Sequence, residues 1–327
     1  MGGSWSGRRV LVTGATGLVG SWLVPALLER GAFVAGLVRD HDPQRELVRS
    51  GMIRNIAVVT GALEDFRVVE RAVVEHDVDT IIHLGAQAIV GTALASPLPT
   101  FESNVMGTVH VLEAARRRAD RVRAVVVASS DKAYGDSETL PYTEAMPPLG
   151  RHPYDVSKSC ADLISVAYHR TYGLPVVVAR CGNIYGGGDL NWSRIVPGAV
   201  RSLYFGQRPE IRSDGTFIRD YVYVRDAVDA YLSMAEMADR DGVCGEAFNF
   251  GPQRPFTVLE VVERLSRLMG RDDLPPKILG TAKGEIREQY LCSDKARARL
   301  GWAPAWSLDD GLKETAAWYR AYLEHGA

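Results

Sequence analysis

The sequence predicts an α/β protein: a doubly wound parallel sheet followed by a smaller C-terminal α/β region. Three observations predict it. Short Val-, Ile- and Leu-rich runs alternate with amphipathic stretches as far as Gly186. Those runs are near-continuous in apolar residues, the mark of strands covered on both faces. A glycine-rich turn joins the first run to the first amphipathic stretch. The right-handed crossover rule then gives the doubly wound arrangement.

The elements follow in order. RRVLVTG (8–14) reads as a strand. GLVGSWLVPALLERG (17–31) reads as a helix ending at Gly31, with Pro25 removing one backbone bond. FVAGLV (33–38) and NIAVVTG (55–61) are strands, FRVVERAVVEH (66–76) a helix and DTIIHLGA (79–86) a strand. SNVMGTVHVLEAARRR (103–118) is a helix with its arginines at the C-terminal end, where the dipole favours them. RAVVVASS (123–130) is a strand. PYDVSKSCADLISVAYHRTYG (153–173) is a long helix with Pro153 in its first turn. LPVVVARCGNIYG (174–186) is a sixth strand and its loop.

After about residue 185 Gly, Pro, Arg and aromatic residues become frequent. The segment 225–238 reads as a helix, and AFNFGP (247–252) as a strand that returns to the main sheet. The expected division is 8–184 plus about 223–250 for a dinucleotide-binding domain. The segments 185–222 and 251–327 form the substrate-holding region.

Composition excludes several classes. The 327 residues carry 38 Lys plus Arg against 40 Asp plus Glu, so no basic excess points to nucleic acid. No stretch has the apolar length of a membrane span. Cys160, Cys181, Cys244 and Cys292 lack metal-ligand or redox spacing, so no metal is expected. Dispersed thiols and an N-terminus without an apolar run fit a cytoplasmic protein.

Thr13-Gly14-Ala15-Thr16-Gly17-Leu18-Val19-Gly20 sits between the first strand and the first helix. Gly14 permits the tight turn, Gly17 lets the backbone approach a pyrophosphate, and Gly20 lets helix and strand pack closely. The helix N-terminus meets the anion's charge. In this setting the motif predicts a Rossmann-type site for NAD or NADP. At the end of the second strand stand Leu37-Val38-Arg39-Asp40. Val38 accepts no ribose hydrogen bond, Arg39 suits a 2′-phosphate and Asp40 suits the ribose, which gives a slight preference for NADP.

Tyr154 and Lys158 are four residues apart on one helix face. A nearby ammonium and a first-turn position favour the phenolate, which then takes a proton from a sugar hydroxyl. Ser129-Ser130-Asp131-Lys132 ends the fifth strand, on the edge that faces the ligand crevice. Ser130 suits a bond to the reacting hydroxyl, Asp131 suits proton donation to a leaving hydroxyl, and Lys132 stands beside them.

TGATGLVG, HLGAQ, SSDKAYG, PYDVSK, ARCGNIYGGGD, FIRDYVYV, FNFGP and KARARLGWAP occur in the order found in the extended short-chain dehydrogenase/reductase superfamily, which the whole chain resembles. It is most similar to nucleotide-sugar 4,6-dehydratases, above all the CDP-glucose branch. The resemblance implies a nucleotide-diphosphate sugar as substrate, a tightly bound NAD(P) and a homodimer formed through helices at about 102–118 and 153–172. It implies oxidation at C4 with Tyr154 as base, loss of water across C5 and C6 with Asp131 as acid, and hydride return to C6. Lys132 stands where many dTDP-sugar dehydratases carry a Glu base, which leaves the group that takes the C5 proton open. The resemblance further implies that Gly14, Thr16, Gly17, Leu18, Val19, Gly20, Arg39, Asp40, Ala62, Leu63, Leu84, Ala86, Gln87, Asn104, Ser129, Tyr154 and Lys158 surround the cofactor. Gln87, Ser130, Asn183, Arg194, Arg219 and Arg287 are implied to meet the substrate. His83 has two readings, one near the cofactor and one as a packed core histidine.

The chain departs from the CDP-glucose branch in two places. Its cradle lacks the usual His, and Arg219-Asp220-Tyr221 replaces an Arg-Pro-Trp stretch. Two other functions share parts of this pattern: a nucleotide-sugar epimerase, which needs no acid to expel water, and a non-catalytic dinucleotide-binding module.

Overall fold

The computed structural model describes residues 5–282 and 285–326. Its strands are β1 (Arg9–Thr13), β2 (Phe33–Val38), β3 (Ala57–Thr60), β4 (Thr80–His83), β5 (Ala124–Ala128), β6 (Val176–Cys181), β7 (Asn183–Tyr185), β8 (Glu210–Ile211), β9 (Ile218–Arg219), β10 (Tyr221–Tyr223), β11 (Ala247–Phe250), β12 (Phe256–Thr257), β13 (Lys277–Ile278) and β14 (Glu288–Gln289).

Seven of these form one parallel sheet in the order β11-β6-β5-β4-β1-β2-β3. Strand order reverses between β1 and β4, so a crevice opens at the C-terminal ends of these two strands. Both faces are covered. Val10, Val12, Val126 and Val177 point into one apolar layer with Leu23, Leu27, Tyr231 and Met234. Leu11, Ile81, Val125, Val127 and Val178 point into the other with Val69, Val73, Val111 and Leu112. This is why the strands read as unbroken apolar runs: each alternate residue has its own core to enter.

The sixth predicted strand is two strands. The chain leaves the main sheet at Gly182, where a side chain would meet Asp220 Cβ at 2.9 Å, and β7 then pairs with β10. The helix predicted over 103–118 also differs. It begins as a π-turn, Glu102–Met106, and becomes α-helical only over Gly107–Arg117. The wider turn accompanies the buried Asn104, whose amide bonds outside the helix. A third apolar cluster, with Val196, Val200, Leu203, Val261, Leu265 and Tyr319, supports the small β-units of the C-terminal region.

Candidate active site

The glycine-rich turn has the shape that the spacing predicts. Gly14 adopts φ +68°, and a Cβ there would meet Gly85 N at 2.8 Å. The first helix, Leu18–Glu29, starts at Gly17 with no side-chain cap. Thr16, Leu18 and Val19 are half-exposed at its mouth. A turn too tight for any side chain, facing an uncapped helix end, fits a dinucleotide pyrophosphate.

At the adenosine side, Arg39 and Asp40 are paired with each other at 2.7 Å, each about 70% exposed. Leu63 is buried and lies close against Gly85 and Gly107, with Ala62 half-buried beside it. His83 is a core residue: Nδ1 lies 2.7 Å from Thr13 Oγ1 and Nε2 3.2 Å from Thr108 Oγ1. Burial, helped by the charge of Lys158, lowers its pKa to about 3, so the ring is neutral.

Leu84, Gly85, Ala86 and Gln87 follow β4 along the crevice, all half-buried. Two expectations need correction here. The Asn104 amide is spent on the fold: Oδ1 accepts from Gln87 N at 2.7 Å, and Nδ2 donates to Gln87 O and Ser157 Oγ. It positions the loop rather than facing a ligand. The Gln87 side chain turns back onto Ile89 and Thr100, so only its backbone lines the crevice.

Tyr154 and Lys158 share one face of the Pro153–Tyr172 helix, with Nζ 6.0 Å from the phenol ring centroid. Lys158 is buried and donates to Ala128 O at 2.8 Å. Desolvation lowers its pKa to about 8, against the pull of Asp162, which is itself paired with Arg180. Ser129 lies against the Lys158 carbonyl, on the same side. The Tyr154 phenol is not poised as a phenolate. Burial raises its pKa to about 12, while Arg194 and a Ser130 hydrogen bond work in the other direction. The sequence argument weighed the ammonium and the dipole; in the folded chain desolvation is larger.

Ser130 Oγ donates to Asp131 Oδ1 at 2.8 Å and accepts from Lys132 N. Asp131 is 2% exposed, and its Oδ2 has no hydrogen-bond partner among the described residues. Burial raises its pKa, opposed first by Lys132. Burial thus favours the protonated form, which suits an acid. Lys132 Nζ donates to Gln289 Oε1 at 3.0 Å.

The arginines separate into different roles. Arg194 caps the start of the Ile195–Tyr204 helix, bonds Asp189 at 2.9 Å and reaches Ala88 O at 3.3 Å. It is the largest charge acting on Tyr154. Arg287 is exposed, 3.7 Å from Asp214. Arg219 departs from its expected role. Its buried guanidinium donates to the carbonyls of Ile218, Ile286 and Arg287, so it braces β14 against β9 instead of presenting a free fork. Asn183 opens β7, held through its backbone by Asp220 O at 2.9 Å. Sequence reasoning missed Gln289, which lies 157 positions from the lysine that it meets.

Comparison with known proteins identifies the family. The profile of the family described as GDP-mannose 4,6 dehydratase matches residues 11–315. A CDP-glucose 4,6-dehydratase of Salmonella typhimurium is 32% identical, over 98% of this chain and 92% of its own. The crystal structure of a dTDP-glucose 4,6-dehydratase from Streptomyces venezuelae, with NAD bound, superposes with TM-score 0.86 at 29% identity, covering 96% of this chain and 97% of that one. A UDP-glucose 4-epimerase from Thermotoga maritima, solved with UDP-glucose, gives TM-score 0.88 at 30% identity, covering 97% and 100%.

Proposed function

The chain belongs to the GDP-mannose 4,6-dehydratase family within the extended short-chain dehydrogenase/reductase superfamily, and we propose how its own residues divide the work of a nucleotide-sugar 4,6-dehydratase. It is an enzyme of that class, a lyase that uses a nicotinamide dinucleotide. The substrate we assign is an NDP-hexose of the CDP-glucose kind, converted to the 4-keto-6-deoxy sugar. The observation that carries the assignment of roles is Asp131: a buried carboxyl with one oxygen unpartnered among the described residues, its pKa raised by burial, beside Tyr154.

The dinucleotide, when bound, accepts hydride from C4 and returns it to C6. Tyr154 takes the proton of the 4-hydroxyl as the phenolate, having first released its own proton to solvent; Arg194, a Ser130 hydrogen bond and the nearby Lys158 favour that form against burial. The new ketone acidifies the C5 proton. Lys132, whose Nζ is held at Gln289 Oε1, takes that proton and gives one back to C5 as hydride returns to C6. The C5–H electron pair moves into the C5–C6 bond, the C6–O bond breaks, and the Asp131 proton leaves with that oxygen as water. Arg194, Arg287 and Asn183 recognise the diphosphate and sugar; guanidinium forks suit phosphate oxygens, amides suit hydroxyls.

Arg39 supports NADP as the preferred dinucleotide, since its guanidinium stands exposed at the ribose end. Leu98, Met106 and Leu163 leave apolar surface on the helices at 97–106 and 153–172, which supports a homodimer in solution. No helix of the described residues is long and apolar enough to cross a membrane, and the cysteines are free thiols, in keeping with work in the cytoplasm. Incubation with CDP-, dTDP-, UDP- and GDP-hexoses tests the assignment. Loss of one water from the product of one of them is expected; an isomer of unchanged mass identifies an epimerase, the reading that the Thermotoga maritima likeness favours.

A further inference from the structure

Lys132 carries the C5 proton in the scheme above, and a lysine side chain has four freely rotating bonds. One contact fixes it. Lys132 Nζ donates to Gln289 Oε1 at 3.0 Å, and Gln289 is wholly buried. In that bond Oε1 is the acceptor, and Nε2 lies on the other side of the amide. That Nε2 is buried and has no partner among the described residues. A glutamine kept for packing alone leaves no such donor, because an unmade buried hydrogen bond costs stability.

The backbone around Gln289 is fixed on both sides. Before it, Arg219 holds the carbonyls of Ile286 and Arg287, and Gln289 itself stands opposite Arg219 in the β14–β9 register. After it, Leu291 N donates to the buried Asp220 carboxyl at 2.7 Å. Tyr142 N donates to Tyr290 O, and Cys292 N to Tyr142 O. A two-residue strand tied by two other segments is a rigid support for one side chain.

We propose that Gln289 is the positioning residue for proton removal at C5. Its carbonyl oxygen takes one Nζ–H of Lys132 and so fixes where the nitrogen stands beside Asp131. Arg219 acts at one remove, by holding the strand. This proposal rests on Lys132 as the base; the charges that act with Lys132 on that cluster are Asp131 and Asp155.

The test follows the C5 proton separately from the hydride. Wild type and Gln289→Leu are given the hexose that the wild type dehydrates, in deuterated solvent. The wild type must yield product carrying deuterium at C5; if it yields no dehydrated product, the dehydratase reading fails and not this one. For Gln289→Leu, nicotinamide absorbance should still report C4 oxidation at the wild-type rate, while C5 exchange falls by at least about tenfold. Unchanged exchange overturns the proposal, and so does a parallel loss of both steps in protein that still binds dinucleotide. Gln289→Glu decides the matter if the Leu variant does not fold. It replaces the neutral acceptor with a carboxylate that pairs with Nζ, so C5 exchange should fall relative to C4 oxidation; exchange equal to that of wild type overturns the proposal.

Discussion

Ser130 and Asp131 are joined by a 2.8 Å hydrogen bond from hydroxyl to Oδ1, and this bond leaves Oδ2 as the free corner of a buried carboxyl. The serine fixes the rotation of the carboxyl, and burial raises its pKa. Asp131→Asn should therefore lower dehydration by about 10² to 10⁴, the usual range for a general acid. C4 oxidation, read by nicotinamide absorbance, should change far less. Equal losses in both steps would remove Asp131 from the acid's role.

The same carboxyl makes a second prediction about stability. Its folded-state pKa is raised, so the native chain binds the proton more tightly than the unfolded chain does. That contribution is complete below the unfolded value of about 3.9 and declines as pH rises toward the raised value. Asp131→Asn should thus melt at a higher temperature than wild type at pH 8, with the gap closing at pH 4. Parallel melting curves at the two pH values would contradict it.

Asp220 gives the clearest pH window. Burial raises its pKa to about 7, against the Leu291 N–H that it accepts, and Oδ1 has no partner among the described residues. The unfolded carboxyl ionises near 3.8 and the folded one near 7. Stability from this group is full below the first value and is lost progressively up to the second, by at most about 4 kcal/mol. Asp220→Asn should flatten the decline of chemical-denaturation midpoint between pH 4 and 7. A slope equal to that of wild type would exclude Asp220 as its source.

Much of the fold is legible in the sequence, and the reason is physical. The strands of the main sheet face apolar layers on both sides, so they announce themselves as Val and Ile runs. Gly14, Tyr154 and Asp131 are legible because local spacing carries their chemistry. Other features depend on partners that spacing cannot reveal. Arg219 reads as a phosphate ligand until its carbonyl partners 67 and 68 positions away are known. Asn104 reads as a ligand-facing amide until Gln87 and Ser157 are seen to consume it. The π-turn and the break at Gly182 are likewise set by tertiary contacts, not by local propensity.

The cradle offers a structural test that needs no substrate. Gly14→Ala places a Cβ 2.8 Å from Gly85 N in a left-handed backbone position. The variant should bind NAD and NADP at least about tenfold more weakly in a fluorescence titration, since the turn must open to admit the methyl group. Unchanged affinity for both would place the dinucleotide elsewhere.

Arg39→Ala separates the two dinucleotides. Loss of the guanidinium should weaken NADP by about tenfold while NAD changes less, because only NADP carries the 2′-phosphate. Equal effects on both, by calorimetry, would assign Arg39 to the surface pair with Asp40 alone.

The most direct measurement uses a nucleotide hexose labelled with deuterium at C4. If Tyr154 and Asp131 act on one sugar held against the dinucleotide, mass spectrometry and NMR should find a product lighter by one water, with the label moved to C6. A label that stays at or returns to C4, in a product that has lost no water, would contradict the account.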